Sequence, residues 1–340
     1  MASLSFKDFK SDQEVRWCPG CGDHAVLAAL QRALPRVSQA LGYEKERYVV
    51  ISGIGCSSRL PYYMDTYGFH SIHGRATAIS TGVKVANPQL TVWQACGDGD
   101  ALAIGGNHFI HAIRRNIDIN LMLFNNRIYG LTKGQYSPTS KFGAITKTSP
   151  YGTVEHPFNP GSLVLGAKGT FFARSLDVEL NLNEEIMTAA ALHDGCSVME
   201  FLTNCVIFND GAHKDLSDPA VKADHTIVLR HGEKMIFGAA RDRGLIYDGT
   251  ALRAVRIGEN GISLDDILVH DAHTDNIGIH MALADMKGPD LPVALGVIRD
   301  VKDVTYDDGV RDQVKDVMRK STIHCVDDLL NSGSTWLVGK

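Results

Sequence analysis

The chain has 340 residues, of which 44% are hydrophobic, 21% are charged and 33 are glycine, a composition typical of a soluble α/β enzyme. A net charge of −5 without a long basic block argues against a nucleic-acid partner, and the lack of an apolar run of ~20 residues argues against a membrane span. With no hydrophobic leader and only seven cysteines, we expect a cytoplasmic protein whose paired cysteines serve a metal or catalysis.

The first half of the chain predicts strands and helices in alternation. Residues 1–16 form a polar arm, and a helix then begins in DHAVLAALQRALPRV and stops near Pro35. The segment YVVISGIGC reads as a buried strand that enters a glycine turn. The clearest unit is LTVWQACGDGDALAIGGNHFIHAIRRNIDINLMLFNN, which reads as strand, glycine turn, helix and second strand. This βαβ crossover predicts an α/β fold with a doubly wound, mostly parallel sheet.

The second half becomes less regular along its length. The segment from Tyr129 to about Pro160 is rich in Gly, Ser, Thr and Pro, and a loop of this length is usually functional or mobile. GTFFARS, LNEEIMTAAALHDG and CSVMEFLTNC then give strand, helix and strand. After about residue 210 the pattern is irregular and charged, with a short strand in KMIFGAA and a last helix near 311–320. We therefore expect an α/β domain over 17–210 and an extension over 211–340 that packs on this core or on a partner.

The acidic glycine turn Gly97–Asp100 follows one predicted strand and opens a helix. A dinucleotide-binding fingerprint would need a third glycine where Leu102 stands, and no Gly-Lys-Ser/Thr follows that would make a P-loop. Parallel strands end at one edge of a sheet, so Asp98 and Asn126, 28 residues later, are expected side by side. Their oxygens suit Mg²⁺, with substrate phosphates completing the shell, and the helix N-terminus favours the same phosphates.

Two cysteines, Cys18 and Cys21, form a C-x₂-C pair in WCPGCGDH. The pair is compatible with a redox dithiol, with half of a metal site or with two ordinary thiols. A dithiol does not need the further cysteines Cys56 and Cys205, whereas a structural zinc site with four cysteines is chemically reasonable. Three cysteines are left over and are interpreted as small buried hydrophobic residues: Cys96, Cys196 and Cys325.

Several of these motifs resemble the β subunit of the 2-oxoacid:ferredoxin oxidoreductases. The span from GDG to NN resembles the thiamine diphosphate motif, and the match extends in order through WCPGCGDH, GIGCSSR, HGRATAISTGVKVANP, NNRIYGLTKGQYSPTS and NCVIFND. The resemblance covers roughly residues 15–210 and is closest to members that use 2-oxoglutarate. It implies the fold of the thiamine diphosphate-binding enzymes.

The resemblance also implies the residues of the cofactor site. Asp98 and Asn126 would hold Mg²⁺ through their side chains, and Ile128 through its carbonyl group. Lys133 would meet the carboxylate of the bound 2-oxoacid. The residues expected along thiamine diphosphate are Ile54, Gly55, Cys56, Ser57, His73, Gly99, Asp100, Tyr129, Gly130 and Leu131.

The resemblance further implies that one [4Fe–4S] cluster is bound by Cys18, Cys21, Cys56 and Cys205. Thiolates are the ligands that such clusters require. Cys56 lies in the turn expected to touch thiamine diphosphate. A residue that borders the cofactor and also binds the metal centre would bring the two close together, which favours electron transfer. We therefore prefer the cluster to zinc.

The activity implied is the CoA-dependent oxidative decarboxylation of a 2-oxoacid, most closely 2-oxoglutarate, to acyl-CoA and CO₂, with electrons passed through the cluster to ferredoxin. The reaction could also run as a reductive carboxylation. The family takes the glutamate that activates the thiamine ring from another subunit, and no candidate with a motif is present in this chain. An α subunit is therefore the expected partner, in an (αβ)₂ heterotetramer, and neither a nucleic acid nor a membrane is expected.

Arg59 is a candidate for substrate selection. It lies three residues after Cys56, and a guanidinium group can bind the distal carboxylate of 2-oxoglutarate in a bidentate manner. The alternative is a local ion pair with an acid such as Asp65. Two other functions compete with the leading one: a non-oxidative thiamine decarboxylase or ligase with a structural zinc, and a non-catalytic electron-transfer subunit.

Overall fold

One eight-stranded sheet organises the chain between residues 48 and 300. The structure is a computed structural model, and it describes residues 4–339. The strands are β1 (Tyr48–Ser52), β2 (Tyr67–His70), β3 (Thr91–Gly97), β4 (Ile119–Asn125), β5 (Phe171–Leu176), β6 (Cys196–Leu202), β7 (Thr226–Leu229), β8 (Ile236–Phe237), β9 (Arg243–Tyr247), β10 (Leu252–Arg256) and β11 (Val293–Asp300). The helices are α1 (Asp23–Leu41), α2 (Leu60–Tyr63), α3 (Ala76–Ala86), α4 (Gly106–Arg114), α5 (Pro160–Gly166), α6 (Leu180–Leu192), α7 (Lys214–Ser217), α8 (Lys222–His225), α9 (Ile277–Asp285), α10 (Tyr306–Lys320) and α11 (Val326–Asn331).

The strand order of the large sheet is β2-β1-β3-β4-β6-β5-β11-β7. All neighbours are parallel except β5 and β11, which run antiparallel. Two apolar clusters lie on opposite faces, one containing Trp93 and Phe124 and the other containing Phe109 and Phe172. Strands buried on both faces read as continuous apolar runs, which is why the sequence pattern revealed them. The predicted α/β fold with a mostly parallel sheet is confirmed.

Helix α1 does not stop at Pro35 as predicted but continues to Leu41. A proline inside a helix costs about 3 kcal/mol. The next turn, however, buries Val37 completely, and α1 packs along α6, so burial of this apolar face offsets the cost. The helix ends at Gly42, whose φ of 68° is the left-handed conformation common at helix C-termini.

The βαβ unit from β3 to β4 is present and parallel, but its helix begins differently from the prediction. The residues after the glycine turn, Asp100–Ile104, form a π-helical segment, and α4 follows from Gly106. The N–H of Gly105 donates to the carbonyl of Asp100 at 3.1 Å, an i to i+5 bond. Such π turns are rare and are found mostly at functional sites.

The segment 211–340, predicted as an irregular extension, contributes β7 and β11 to the main sheet and forms a small antiparallel sheet in the order β10-β9-β8. The helix predicted near 311–320 is present as α10, which begins earlier, at Tyr306; it is not the last helix as predicted, because α11 follows it. Cys325, predicted to be buried, is exposed, because it lies at the N-terminus of α11, whose residues are all exposed; its thiol accepts the N–H of Asp328 there. Cys96 and Cys196 are buried as predicted. Between residues 4 and 339, every helix is too short or too polar to cross a membrane.

Candidate functional site

The functional side chains follow the carboxyl ends of β1, β3, β4 and β6, which are parallel and therefore end at one edge of the sheet. A cavity of about 410 Å³ opens at this edge. Its wall contains every residue that the sequence analysis placed at thiamine diphosphate or Mg²⁺: Ile54, Gly55, Cys56, Ser57, His73, Asp98, Gly99, Asp100, Asn126, Ile128, Tyr129, Gly130 and Leu131. The topology thus brings into one cavity segments up to 77 residues apart in the chain, from Ile54 to Leu131.

Asp98 follows β3, and its side chain is 2% exposed. Its Oδ2 accepts hydrogen bonds from the hydroxyl groups of Ser137, at 2.5 Å, and Thr139. Burial raises the pKa of Asp98, and the two hydroxyl donors oppose that shift. A buried carboxylate of this kind is stabilised by a cation, so its surroundings fit the chemistry of a magnesium ligand.

Asn126 and Ile128 follow β4 and share the cavity wall with Asp98. The amide oxygen of Asn126 accepts the N–H of Ile128 at 3.1 Å, which folds this segment into a turn. The backbone carbonyl of Asn126 is held by the amide of Asn209 at 2.9 Å. The turn therefore brings two oxygen-bearing residues to the cavity beside Asp98, as the prediction of a magnesium site requires.

The glycine of the acidic turn, Gly99, lies against the ring of Tyr129. A Cβ at this glycine would come within 2.2 Å of the Tyr129 ring. The Tyr129 hydroxyl donates to the carbonyl of Gly99 at 3.0 Å. Only glycine permits this close approach, which joins the loops after β3 and β4.

The second carboxylate of the turn, Asp100, organises the opposite wall. Its Oδ1 accepts hydrogen bonds from the backbone N–H groups of Ile54 and Gly74, at 3.1 and 2.8 Å, and from Nδ1 of His73 at 2.7 Å. With Nδ1 bonded to this carboxylate, the imidazole of His73 keeps Nε2 for the cavity. Asp100 therefore positions the loops after β1 and β2, whereas the side-chain hydrogen bonds of Asp98 come from the hydroxyl groups of Ser137 and Thr139.

The Cys18-Pro19-Gly20-Cys21 segment is a tight turn. The N–H of Cys21 donates to the carbonyl of Cys18 at 3.0 Å, and Gly20 has a φ of 82°. Proline followed by a left-handed glycine is the signature of a type II turn. Trp17 fixes this turn to the loop after β1, because its indole N–H donates to the carbonyl of Cys56 at 2.6 Å.

The other two thiols approach the same place from β1 and β6. A Cβ at Gly130 would lie 3.5 Å from Sγ of Cys205 and 3.6 Å from Sγ of Cys56, so both sulfurs face this glycine. Burial raises the pKa of Cys56 to about 12, and charges on Asp23, Cys205 and Cys18 reinforce the shift. Burial also raises the pKa of Cys21, with contributions from Cys205 and Cys56. The four cysteines are therefore electrostatic neighbours that a positive metal centre would stabilise.

These thiols are not arranged around a single ion. Over residues 4–339, no three His, Cys, Asp or Glu side chains are close enough to hold one metal ion. A tetrahedral zinc with Zn–S bonds of about 2.3 Å brings its sulfurs to roughly 3.8 Å from each other. A [4Fe–4S] cluster instead distributes its four thiolates over four iron atoms. The choice between these two centres belongs to the proposed function.

Arg59 and Lys133 do not line the cavity itself. Arg59 lines a neighbouring cleft of about 380 Å³ that shares Ile54, Gly55 and Leu131 with it. The alternative partner, Asp65, is paired with Lys45 at 2.7 Å. Lys133 lines a different cleft, of about 570 Å³, which meets the cavity at Ile128. Their roles in substrate binding remain predictions.

Sequence reasoning missed Ser137 and Thr139 as functional residues. Both are buried and donate to Asp98 from a loop that contains neither helix nor strand. The signal was available in the hydroxyl-rich SPTS segment, but only the fold shows which carboxylate it meets. Thr132 and Gln135 also line the cavity without having been predicted.

The cavity lies inside a region that matches a known family model. Residues 53–201 match the thiamine pyrophosphate enzyme C-terminal TPP-binding domain. This span begins directly after β1, runs from β2 into β6 and contains all the residues predicted at thiamine diphosphate and Mg²⁺. The family match supports thiamine diphosphate as the cofactor.

Curated relatives resemble the chain over most of its length. It is 48% identical to the 2-oxoglutarate oxidoreductase subunit KorB of Mycobacterium tuberculosis, across 98% of this chain and 88% of that protein. It is also 48% identical to the 2-oxoglutarate synthase subunit KorB of Archaeoglobus fulgidus, across 56% of this chain and 69% of that protein. A solved structure of 2-oxoglutarate:ferredoxin oxidoreductase from Magnetococcus marinus, with 2-oxoglutarate, coenzyme A and succinyl-CoA bound, has a TM-score of 0.76 and 30% identity, and the match covers 98% of each chain.

Proposed function

The chain belongs to the β subunits of the 2-oxoacid:ferredoxin oxidoreductases, and from this premise we propose that it carries the thiamine and cluster site of a 2-oxoglutarate oxidoreductase. The net reaction is 2-oxoglutarate plus CoA giving succinyl-CoA and CO₂, with two electrons transferred to ferredoxin, and it is reversible. The observation that carries the proposal is the position of Cys56, which lines the cofactor cavity and faces Cys205 behind it.

Thiamine diphosphate supplies, when bound, a nucleophilic carbon for the C2 carbonyl of the substrate and an electron sink after CO₂ leaves. This chain's residues hold it in place. Asp98, Asn126 and the Ile128 carbonyl would ligate the Mg²⁺ that carries the diphosphate. Tyr129 and Gly99 close one wall of the cavity through their hydrogen bond, and Asp100 holds the other wall.

A [4Fe–4S] cluster supplies one-electron redox chemistry, and Cys18, Cys21, Cys56 and Cys205 are its proposed ligands. The support is threefold. The four thiols come from three separate loops, the sulfurs of Cys56 and Cys205 face the same glycine, and burial, together with the charges of Asp23 and the neighbouring thiols, raises the pKa of Cys21 and Cys56. Coordination would offset this repulsion, since metal binding keeps thiols deprotonated.

The proposal of an α subunit depends on which acidic side chains the described residues provide at the cavity. Within residues 4–339, the acidic side chains that line the cavity are Asp98 and Asp100. Asp98 is assigned to Mg²⁺, and Asp100 is occupied by three N–H donors. The glutamate that activates the thiamine ring is therefore proposed to come from an α subunit in an (αβ)₂ heterotetramer, and ferredoxin is the proposed electron acceptor.

The experiment that tests the proposal is a visible absorption spectrum of the complex, purified without oxygen, before and after addition of 2-oxoglutarate and CoA. We expect a brown charge-transfer band that bleaches when both substrates are present, because the cluster accepts electrons from the substrate. Pyruvate with CoA is the matched substrate control and should bleach the band far more slowly.

Two outcomes would contradict parts of this proposal. A band that 2-oxoglutarate leaves unchanged would retain the cluster and reject the substrate. A colourless complex that binds thiamine diphosphate would reject the cluster and leave a zinc-stabilised, non-oxidative thiamine enzyme as the better explanation.

A further inference from the structure

A chain of buried polar groups leads from the proposed magnesium ligand into the centre of the sheet. Thr139 Oγ1 contacts Oδ2 of Asp98 on one side and lies 2.9 Å from Oδ1 of Asn125 on the other. Nδ2 of Asn125 donates to Oε1 of Glu200 at 2.7 Å. Oε2 of Glu200 accepts from Nε of Arg174 at 2.7 Å. All five side chains are at most 5% exposed.

The directions of the hydrogen bonds between Arg174, Glu200 and Asn125 are fixed at the Arg174 end. The guanidinium group can only donate, so the Glu200 carboxylate accepts from it. The carboxylate also accepts from Asn125, which forces the Asn125 amide to present its oxygen to Thr139. Thr139 therefore lies between two acceptors, the Asn125 oxygen and the Asp98 carboxylate, and its single hydroxyl proton is donated to one of them at a time.

The Arg174–Glu200 pair is itself rigidly held. Arg174 lies on β5 and Glu200 on the adjacent strand β6, where they are register partners. A second nitrogen of Arg174 donates to the carbonyl of Ala284 at 3.1 Å. The hydrogen bonds from β5 and β6 therefore fix the position of Thr139 relative to the centre of the sheet, although Thr139 itself lies in a long irregular loop.

The neighbouring hydroxyls have different roles. Ser140 donates to the carbonyl of Arg127 at 2.7 Å and accepts the N–H of Ser137 at 2.8 Å, so it ties the loop to the segment after β4. Ser137 donates to Asp98 but has no contact with Asn125 among the described residues. Thr139 is the hydroxyl that joins Asp98 to the sheet interior.

We propose that Thr139 is a positioning residue for the magnesium ion: with Asn125, Glu200 and Arg174 behind it, it holds Oδ2 of Asp98 so that the carboxylate faces the cation in one orientation. This inference rests on the proposed function, because it assumes that Asp98 is a magnesium ligand. Residues that orient metal ligands in this way typically contribute 10- to 100-fold to metal affinity.

The test compares Thr139→Val with Thr139→Ser in the complex with its partner subunit. Valine keeps the shape and removes the donor, whereas serine keeps the hydroxyl. The readout is the affinity for Mn²⁺, used as a paramagnetic substitute for Mg²⁺ in the presence of thiamine diphosphate and measured from free Mn²⁺ by electron paramagnetic resonance. We expect Thr139→Val to weaken Mn²⁺ binding 10- to 100-fold, and Thr139→Ser to stay within a factor of about three of the wild type.

Thr148→Val is the matched control, because it removes an exposed hydroxyl from the same loop without touching Asp98. It should leave Mn²⁺ affinity unchanged, and the midpoint of thermal unfolding of the metal-free complexes should be similar for all variants. Equal Mn²⁺ affinity in Thr139→Val and wild type would overturn the inference alone. A wild-type complex that binds no Mn²⁺ with thiamine diphosphate would instead overturn the magnesium site itself.

If Thr139→Val fails to assemble, Ser137→Ala with intact Thr139 provides the test. This variant should retain most of the Mn²⁺ affinity, and a full loss of that affinity would reject Thr139 as the principal positioning residue.

Discussion

At the scale of single residues, the two carboxylates of the acidic turn have different roles because they have different partners. Asp98 meets two hydroxyl donors, which hold it and leave it able to face a cation. Asp100 accepts hydrogen bonds from two backbone N–H groups and from His73, and these bonds tie three loops together. Two aspartates that are two positions apart are thus suited to different roles: Asp98 to binding a metal ion and Asp100 to holding the surrounding loops together.

Substrate selection also belongs to this scale. Arg59→Leu should raise the Michaelis constant for 2-oxoglutarate about 10- to 100-fold, because a charge-assisted hydrogen bond contributes about 1.5–3 kcal/mol. The same variant should leave the Michaelis constant for 2-oxobutyrate unchanged, since that substrate has no distal carboxylate. Steady-state kinetics with both substrates provide the measurement.

Arg59 is available for this role because Asp65, its nearest candidate partner in sequence, pairs with Lys45. The conservative variant Arg59→Lys keeps the charge and loses the bidentate geometry, and should fall between wild type and Arg59→Leu. An equal increase in the Michaelis constants for both substrates would show that Arg59 does not bind the distal carboxylate.

At the scale of elements, the turn after β3 depends on close contacts of its backbone, which the pattern of apolar and polar side chains in the sequence does not reveal. Gly99 is in contact with the Tyr129 ring, and the following segment is π-helical. The loops after β3 and β4 therefore close on each other, and their contact forms one wall of the cavity.

Gly99→Ala should abolish or strongly weaken binding of thiamine diphosphate, because the new methyl group would displace Tyr129 from the cavity wall. Gly106→Ala is the matched control, since a Cβ at this nearby glycine meets nothing within 4 Å. Calorimetric titration of each complex with thiamine diphosphate and Mg²⁺ measures the effect. Unchanged affinity in Gly99→Ala would mean that the Gly99–Tyr129 contact does not shape the cofactor site.

At the scale of the whole molecule, the sheet brings together a cofactor cavity and a thiol cluster that share one wall. Cys56 belongs to both, so the proposed cluster would lie directly beside the cofactor cavity. Within residues 4–339, both acidic side chains in the cavity wall have hydrogen-bond partners, so the proposed function needs a further acid from a partner subunit.

This incompleteness predicts a division between binding and turnover. The chain without its partner should bind thiamine diphosphate and Mg²⁺ but release no CO₂ from 2-oxoglutarate, and addition of the α subunit should restore decarboxylation. Binding is followed by calorimetry and turnover by the release of labelled CO₂. Decarboxylation by the chain alone would place the activating acid within this chain and remove the need for a partner glutamate.

The sequence alone was sufficient for the central parallel strands β1, β3, β4, β5 and β6 and for most of the residues that line the cavity. Buried parallel strands are continuous apolar runs, and the polar residues that end them, such as Asp98 and Asn126, must meet at one sheet edge. The turn between Cys18 and Cys21 is also predictable from the sequence, because the Pro-Gly pair between them restricts the backbone locally. These features depend on neighbours in the chain, which a single sequence contains.

Tertiary structure decided the features that depend on distant contacts. Pro35 lies inside a helix because packing of α1 on α6 outweighs the local penalty, and Cys325 is exposed because nothing covers α11 in the described chain. Likewise, only the fold brings Thr139 against Asp98 and Asn125, since its irregular loop has no periodicity from which a partner could be read. Local patterns are written in the sequence, whereas the partner of a buried polar group is chosen by long-range packing and by the need to satisfy every hydrogen bond away from water.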